Sequence, residues 1–486
     1  MTVFTVTVIC IIVLSIFIET FRGYKYGVFK ALLSFSCIMI SVVASSLIAK
    51  GVSPFIANEA TRVIFSIQGI SIVFTQFPSL TVLIPAYVDA IITPFVFLIL
   101  FFPFRAFFSL LLKITTRKIL KNHANDPHVI QRGDSSKYGA AVGIISGFIC
   151  AIVIISPFAG SMKMANNAVE ILEKNQKFIY GVRFNTDELD DLKKYCSAKS
   201  VTFFHKNSKK LLYDRLATLD IGDEKISLDA EIKNIDTAMS FFSRLLDTFE
   251  QNDSTYSADI SDIDNDLQKL SSSPTFKYIT ADFLSEASTA WLEGETYMNL
   301  PKFSFGTLID PVVNEILTVC TKTTPDSAIN DLSTILNIYQ LVVQFELNTT
   351  DDYADILVKL NDGNVITELC NELEKNERMA YISEEISDLA VRAVAITLAN
   401  YDFSSGEYAV FVQQLATSMN DVRGYTYEEQ IELLSQSVDQ TFSQLINIPM
   451  PEYISSVIAK SMKNNIRTSD GIVRPSDVIN FFNSYS

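Results

Sequence analysis

The 486-residue sequence predicts an all-α protein in two parts. Residues 1–160 are expected to form a transmembrane domain of four helices, and residues 161–486 a large, acidic, all-helical domain outside the cytoplasm. Three observations favour this division. The balance of charge changes sign near residue 160, long apolar stretches precede that position, and apolar residues recur at helical spacing after it.

Charge separates the two parts clearly. Residues 1–160 contain 12 Lys and Arg against 5 Asp and Glu, whereas residues 161–486 contain 27 against 50. An acidic domain lacks the basic footprint that the phosphates of nucleic acids require. No nucleic-acid partner is therefore expected.

Four stretches are apolar enough to cross a bilayer, which needs about 20 residues per helix. They cover residues 3–18, 28–49, 90–112 and 138–159. A further apolar stretch, residues 63–87, contains two glutamines and two prolines. If it also crossed the membrane, the basic 105–137 segment would lie outside, against the bias of Lys and Arg toward cytoplasmic loops. Residues 63–87 are therefore predicted to be a re-entrant or interfacial segment on the outer face.

Residues 21–30, FRGYKYGVFK, are predicted to be a cytoplasmic turn between the first two spans. A cleaved signal peptide would need a basic region before its apolar run, and this sequence begins MTVFTVTVIC. Positive charges follow the apolar run instead, which favours an N-terminus outside the cytoplasm. The basic residues expected to determine this topology are Arg22, Lys25, Lys30, Lys113, Arg117, Lys118 and Lys121.

Glycines recur four positions apart in two places, and residues at this spacing share one face of a helix. Gly23 and Gly27 begin such a row on the second predicted span, and Gly139, Gly143 and Gly147 form one on the fourth. In lipid, rows of small residues let helix backbones approach closely. These glycines are predicted to pack helices, and a pore or substrate groove is the functional alternative.

Ionisable residues are costly inside a bilayer. Glu19 and Asp89 are expected at span ends, where headgroup water can reach them. No predicted span carries a charge near its centre, which argues against a proton-coupled pump or a voltage sensor.

Three features of the N-terminal third form a pattern. An uncharged span precedes the turn FRGYKYGVFKALLSF, a later span ends in LLLKITTRKIL, and the glycine-spaced segment KYGAAVGIISGFICAIVIISP closes the set. In these features residues 1–160 resemble the colicin V production (CvpA) family of bacterial inner-membrane proteins. Where that family commonly has an asparagine and a basic residue before the last span, this chain has Ser136 and Lys137.

The resemblance implies a function in the cell envelope. It implies a role in colicin V secretion, a toxin biosynthetic process, or more generally in envelope homeostasis and stress. Some relatives couple this membrane module to an extracytoplasmic serine protease domain, which agrees with the topology expected here.

The acidic part shows no catalytic motif. Its only histidine is His205, and no G-x-S-x-G, phosphate-binding or zinc-protease motif is present. The segment DIDNDLQKL, from Asp262, has neither the glycine nor the glutamate that an EF-hand loop needs. No catalytic residue, metal or cofactor is therefore predicted. An enzyme of unfamiliar type is the alternative, with Asp259, Asp355 and His205 as its candidates.

Local signals in the acidic part favour helices. Residues 232–249 repeat apolar side chains at a spacing of three to four, and Ser404…Glu407 and Thr426…Glu429 have the spacing of capping boxes. Residues 249–260 also align without gaps onto residues 345–356. An internal duplication and a chance similarity between helix pairs are both left open.

These observations predict a multi-pass protein of the bacterial inner or plasma membrane. Its partners would be the lipid bilayer and an unidentified envelope protein or cell-wall component that binds the external, non-catalytic domain; a homo-oligomer is left open. The alternative is a component of a transport or export machinery, with solute or peptide passing through the transmembrane module. The proline-broken 63–103 region favours that alternative.

Overall fold

The computed structural model describes residues 3–66, 77–123, 132–174, 199–208, 212–250, 261–297, 310–344, 365–383, 385–386, 391–392, 395, 406–446 and 452–485. These residues are mostly helical, as predicted. They divide into two compact units. The first unit comprises Met1–Phe249 and Lys269–Phe276, and the second comprises Glu250–Gln268 and Lys277–Ser486.

The first unit begins with three long helices: α1 (Val3–Phe65), α2 (Leu80–His123) and α3 (Arg132–Lys174). Within the described residues, these three are long and apolar enough to cross a membrane. The sequence predicts four separate helices. The structure has three, because predicted spans 3–18 and 28–49 both belong to α1.

Gly27 breaks α1 into a first arm, residues 3–26, and a second arm, residues 28–65. Its backbone angles are φ +79° and ψ 174°, and glycine adopts a positive φ without the clash that a Cβ would cause. Across the break, Ser34 Oγ donates a 2.9 Å hydrogen bond to Glu19 Oε2, although the two residues are 15 positions apart. On a straight helix that separation is about 22 Å. The chain therefore reverses inside the segment where the sequence predicts a turn.

α3 runs antiparallel to the first arm. Gly143 of α3 lies against the backbone of Glu19, and Gly147, one turn later, lies against Ile16. Successive turns of α3 therefore contact progressively earlier residues of the first arm.

α2 runs antiparallel to the second arm. The Thr93 hydroxyl is 2.7 Å from Ser53 Oγ, and further along α2 the guanidinium of Arg105 reaches Glu19, which is level with Ser34. One end of the helix group therefore holds the reversal at Gly27, the end of α2 and the start of α3. The described parts of the two basic stretches, residues 21–30 and 105–137, lie at that end.

Long helices extend into two places where the sequence predicts a change of structure. The described parts of residues 63–87 belong to the end of α1 and the start of α2, and residues 67–76 lie outside the described part. The predicted domain boundary at residue 160 lies inside α3, which continues to Lys174. Gly160 is a packing position, since a Cβ there would overlap the ring of Tyr213.

The rest of the first unit contains α4 (Lys199–Ser208), a short helical turn (Asp214–Leu216), a β-hairpin and α5 (Leu228–Glu250). The hairpin corrects the all-α prediction. Its strands, β1 (Thr218–Ile221) and β2 (Glu224–Ser227), pair antiparallel around Gly222, whose φ is +59°. A Gly-Asp pair between two short runs was the sequence signal for it. α5 confirms the helix predicted over residues 232–249.

The chain after α5 forms further helices, most of which build the second unit. They are α6 (Ser261–Leu270), α7 (Pro274–Leu292), α8 (Asp310–Cys320), α9 (Ala328–Gln344), α10 (Val365–Glu374), α11 (Gly406–Asp421), α12 (Tyr427–Ile446), α13 (Glu452–Asn465) and α14 (Pro475–Tyr485). Helices α8 to α14 share one apolar core. At its centre Phe442 packs edge-on against Phe411 at 4.8 Å and against Phe482 at 6.1 Å between ring centroids.

One polar network inside the second unit is fully buried at its centre. Asp331 accepts hydrogen bonds from Asn376 Nδ2 at 3.0 Å and Thr323 Oγ1 at 2.9 Å, and it forms an ion pair with Arg378. The nearby thiol of Cys320 is also buried, and burial raises its pKa to about 12. Because these polar groups have hydrogen-bond partners, the network joins α9 to the chain after α10 with little desolvation penalty.

The capping box predicted at the start of α12 is confirmed. The Thr426 amide donates to Glu429 Oε2 at 3.0 Å, and the Glu429 amide donates back to Thr426 Oγ1 at 3.4 Å. Ser404, of the other predicted box, lies outside the described residues, as do residues 251–260 and 345–356 of the sequence echo. An internal duplication stays a prediction.

Candidate functional site

Glu19 is a buried carboxylate among apolar helices. The sequence predicts it at a span end, in contact with headgroup water. In the structure it is only 3% exposed, because the second arm and α2 cover it. A charge in such a place is costly unless it is paired, and its partners define the candidate site.

Both oxygens of the Glu19 carboxylate have partners. Arg105 Nη2 of α2 forms an ion pair with Oε1, and Arg22 Nη1 lies 2.9 Å from the same oxygen. Ser34 Oγ of the second arm donates to Oε2 at 2.9 Å. The Arg105 side chain is 20% exposed and that of Arg22 55%, so Arg105 is the more deeply buried of the two cations.

Arg105 extends the network to α3. Its Nη1 donates a 2.8 Å hydrogen bond to Cys150 Sγ. One group of side chains thus connects both arms of α1 with α2 and α3. We refer to Glu19, Arg22, Ser34, Arg105 and Cys150 as the buried network.

The buried network links the helices through charge. In a medium of low dielectric an ion pair stabilises the packed arrangement only while both partners keep their charges. An anion that competed for Arg105 would weaken the link between the arms and α2.

The predicted packing glycines occupy a single interface. Gly139, Gly143 and Gly147 of α3 face the backbone around Gly27, Glu19 and Ile16 in turn. A Cβ at Gly147 would lie 2.5 Å from Ile16 Cα, and one at Gly139 would lie 2.7 Å from the carbonyl carbon of Gly27. No side chain fits in these places.

Two of those glycines differ from their predicted placement. Gly23 belongs to the first arm and packs against the backbone of Gly139, so it is not part of the second span. Gly27 is the point of reversal, and its non-helical backbone prevents a continuous row with Gly23. Ser135 of α3 closes the reversal, because its Oγ accepts a 3.4 Å hydrogen bond from the Val28 amide.

The basic residues predicted to determine the topology lie at the end of the helix group that holds the reversal. Lys25 and Lys30 are exposed, 5.5 Å and 4.8 Å from the centroid of the Tyr26 ring. Arg22 belongs to the buried network, and Lys113 is exposed on α2. Arg117, Lys118 and Lys121 belong to the last turns of α2, with side chains outside the described part.

Sequence reasoning missed Arg105, Ser34, Cys150 and Ser135. A signal for Arg105 was present, since it is the only charged residue in the predicted span 90–112. An opposite charge elsewhere in the apolar part, such as Glu19, was its natural partner.

His205 is buried in the first unit, where its Nε2 lies 3.7 Å from Asp229 Oδ1. Its ring packs edge-on against Tyr213 at 5.6 Å, and burial raises the pKa of Tyr213 to about 12. The other two residues of the enzyme alternative, Asp259 and Asp355, lie outside the described residues.

Comparison of the chain with protein-family models, with curated proteins and with solved structures found no match.

Proposed function

We propose that this chain is an integral membrane protein of the bacterial cell envelope, with α1, α2 and α3 as its membrane domain. The observation that carries the proposal is the apolar surface of these helices. Most of the exposed large apolar side chains in the described residues lie on them, among them Leu47 and Ile99, each 70% exposed, and Phe55, 74% exposed. Water disfavours a surface of this kind and lipid does not.

The charges support an orientation. Both basic stretches lie at the end of the helix group that holds Gly27, and Lys and Arg favour the cytoplasmic side. The proposal places that end inside. The N-terminus and the residues after α3 then lie outside the cytoplasm, as does the acidic remainder of the chain.

The membrane domain would anchor the helical second unit, which binds an envelope protein or a cell-wall component. The resemblance of residues 1–160 to the colicin V production family supports a role in colicin V secretion or envelope homeostasis. No catalytic role is part of this proposal.

A pair of reporter fusions tests the placement. Alkaline phosphatase, which is active only outside the cytoplasm, is fused after Lys174 at the end of α3, and in a matched fusion after His123 at the end of α2. High activity is expected for the first and low activity for the second. The opposite pair of activities would refute the orientation, and equal activities of the two fusions would show that α3 does not cross the membrane.

The buried network favours a second candidate function, a component of a transport or export machinery. Charges buried between membrane helices commonly mark a path for ions or substrate, and Pro85, Pro94 and Pro103 interrupt the hydrogen bonding of α2. Flux into proteoliposomes that is lost in Glu19→Gln and kept in Glu59→Gln would support transport. Absence of flux together with normal secretion in a deletion strain would eliminate it.

A further inference from the structure

A cavity of about 500 Å³ lies in the first unit, at the end of the helices away from Gly27. The second arm, α2 and the β-hairpin form its walls. At Thr93, which lines it, the two helices are joined through the Thr93 hydroxyl, 2.7 Å from Ser53 Oγ. Pockets of about 300–1,000 Å³ are typical of small-molecule sites. The size therefore suits a small polar ligand.

Four charged side chains line the cavity, and two of them neutralise each other. Asp220 and Lys225 of the hairpin form an ion pair at 2.6 Å. The other two, Lys50 of the second arm and Asp89 of α2, face the cavity from different helices. In the part of the chain that the structure describes, neither has an ion-pair partner within 4 Å. The cavity thus presents one ammonium group and one carboxylate group that do not meet.

Thr93, one turn after Asp89, also lines the cavity, and its hydroxyl donates to the Asp89 carbonyl at 2.8 Å and lies 3.5 Å from Oδ1. The α2 wall therefore supplies the acceptor, the Asp89 carboxylate, and the second arm supplies the donor, the Lys50 ammonium group.

We propose that this cavity binds a zwitterion that carries a primary ammonium group and a phosphate group. Asp89 binds the ammonium group, with its hydrogen bonds directed at the carboxylate, and Lys50 binds the phosphate. Such a group has two sources, free phosphoethanolamine or the headgroup of phosphatidylethanolamine. The cavity goes beyond the anchoring function, and its charges suit the free molecule whether or not the chain is an anchor.

The first experiment measures, by calorimetry, the binding of free phosphoethanolamine to the purified full-length chain in detergent. Phosphocholine, whose ammonium cannot donate hydrogen bonds, and glycerol phosphate, which has no ammonium, are the matched ligands. At least about tenfold weaker binding is expected for both, a difference of about 1.4 kcal/mol. Equal binding of all three would overturn the proposal.

A second experiment distinguishes the lipid headgroup from the free molecule as the source of the bound group. The chain is placed in nanodiscs with and without phosphatidylethanolamine, and co-purifying lipid is measured by mass spectrometry. Enrichment of this lipid supports the proposal with the lipid as the source, and binding of the free molecule alone supports it with a solute. If neither experiment detects binding, the proposal is overturned.

Variants assign the contacts. Asp89→Asn and Lys50→Gln are expected to weaken binding at least about tenfold, whereas Asp89→Glu and Lys50→Arg keep most of it. Glu59→Gln and Arg62→Gln, which change an exposed pair on the same arm, are expected to bind as the wild type does. Circular dichroism confirms that each variant is folded. Folded Asp89→Asn and Lys50→Gln proteins that bind normally would overturn the assignment.

Discussion

Glu19 is buried among apolar helices, where its negative charge is stabilised by other side chains. Arg105 and Arg22 balance the negative charge of one oxygen, and Ser34 donates to the other. Because the three partners come from both arms of α1 and from α2, loss of the carboxylate leaves Arg105 buried without its counter-charge. Removal of one partner of a buried pair costs more than removal of both.

Glu19→Gln is expected to destabilise the protein by about 3 kcal/mol, because the Arg105 charge then has no compensation. Unfolding in mixed detergent micelles, followed by circular dichroism, measures this. The double variant Glu19→Gln/Arg105→Gln is expected to recover part of the loss. Glu59→Gln, at an exposed pair, is the control and should change stability by no more than about 0.5 kcal/mol. Equal stability of the Glu19→Gln variant and the wild type would contradict the role given to the pair.

Glu429 shows the effect of hydrogen bonds on an exposed charge. The Thr426 amide and hydroxyl donate to its carboxylate, and the backbone bond is the main cause that lowers the pKa of Glu429 below its ordinary value of 4.5. At pH values between the native and unfolded pKa, the unfolded chain binds more protons than the folded one. Stability from this cap is therefore complete above the unfolded pKa and is lost as pH falls through the native pKa.

Thr426→Ala is expected to lower the melting temperature of the second unit by about 2–4 °C at neutral pH, because it removes a helix cap. The difference from the wild type should shrink as pH falls below the ordinary Glu pKa of 4.5 and through the lower native pKa of Glu429, where its carboxylate becomes protonated. The fluorescence of Trp291, the chain's single tryptophan, reports the transition. Glu432→Gln on the same helix is the control. A difference that did not depend on pH would show that Glu429 is not involved.

The close packing of α3 against the first arm depends on the absence of side chains at the glycines of α3. At Gly143 and Gly147 the partner backbone occupies the space of a Cβ. Close approach of this kind increases van der Waals contact between helices in lipid, where the hydrophobic effect gives little attraction. The network through Arg105 and Cys150 then connects α2 to the same pair. Close backbone packing joins α3 to the first arm, and the buried network connects α2 and the second arm to them.

Gly143→Ala is expected to destabilise the helix pair by about 1–3 kcal/mol, because the added methyl overlaps the Glu19 carbonyl and forces the helices apart. Gly51→Ala is the matched control. A Cβ at Gly51 meets nothing within 4 Å, and alanine is the better helix former by about 1 kcal/mol. Opposite signs of the two effects are expected in detergent unfolding. A stabilising Gly143→Ala would refute the packing role.

The molecule as a whole combines an apolar group of helices with an acidic helical remainder. Alternation of direction along the arms, α2 and α3 places the reversal at Gly27 at the same end as the start of α3, where Ser135 bonds to the Val28 amide. Every membrane orientation of this group therefore puts Lys25 and Lys137 on the same side and the start of α2 on the other.

Cysteine labelling checks this arrangement in intact spheroplasts. In a background with Cys10 and Cys196 replaced by serine, Thr81→Cys is expected to react with a membrane-impermeant maleimide. Lys25→Cys and Lys137→Cys should react only after permeabilisation, because their end lies in the cytoplasm. Lys25 and Lys137 variants that reacted from different sides would contradict the fold, and a reversed pattern for all three would contradict only the orientation.

Local properties of the chain were enough to predict several features. The apolar stretches predicted the regions of the long helices, residues 21–30 predicted the reversal, and residues 426–429 predicted a cap. These depend on neighbours within a few positions, which the order of residues specifies directly. Glycine spacing likewise indicated where backbones meet, although the pairing of Gly23 with Gly139 required the packed helices.

Burial and partnership were decided by tertiary structure. Glu19 and Arg105 are 86 positions apart and become a pair only because the arms and α2 pack side by side. The same packing excludes water from Glu19, which as part of a single helix would be exposed to its surroundings. Lys50 and Asp89 likewise line one cavity only when three elements converge. Spacing along the chain specifies helices and turns, whereas contact between distant side chains depends on how those helices pack.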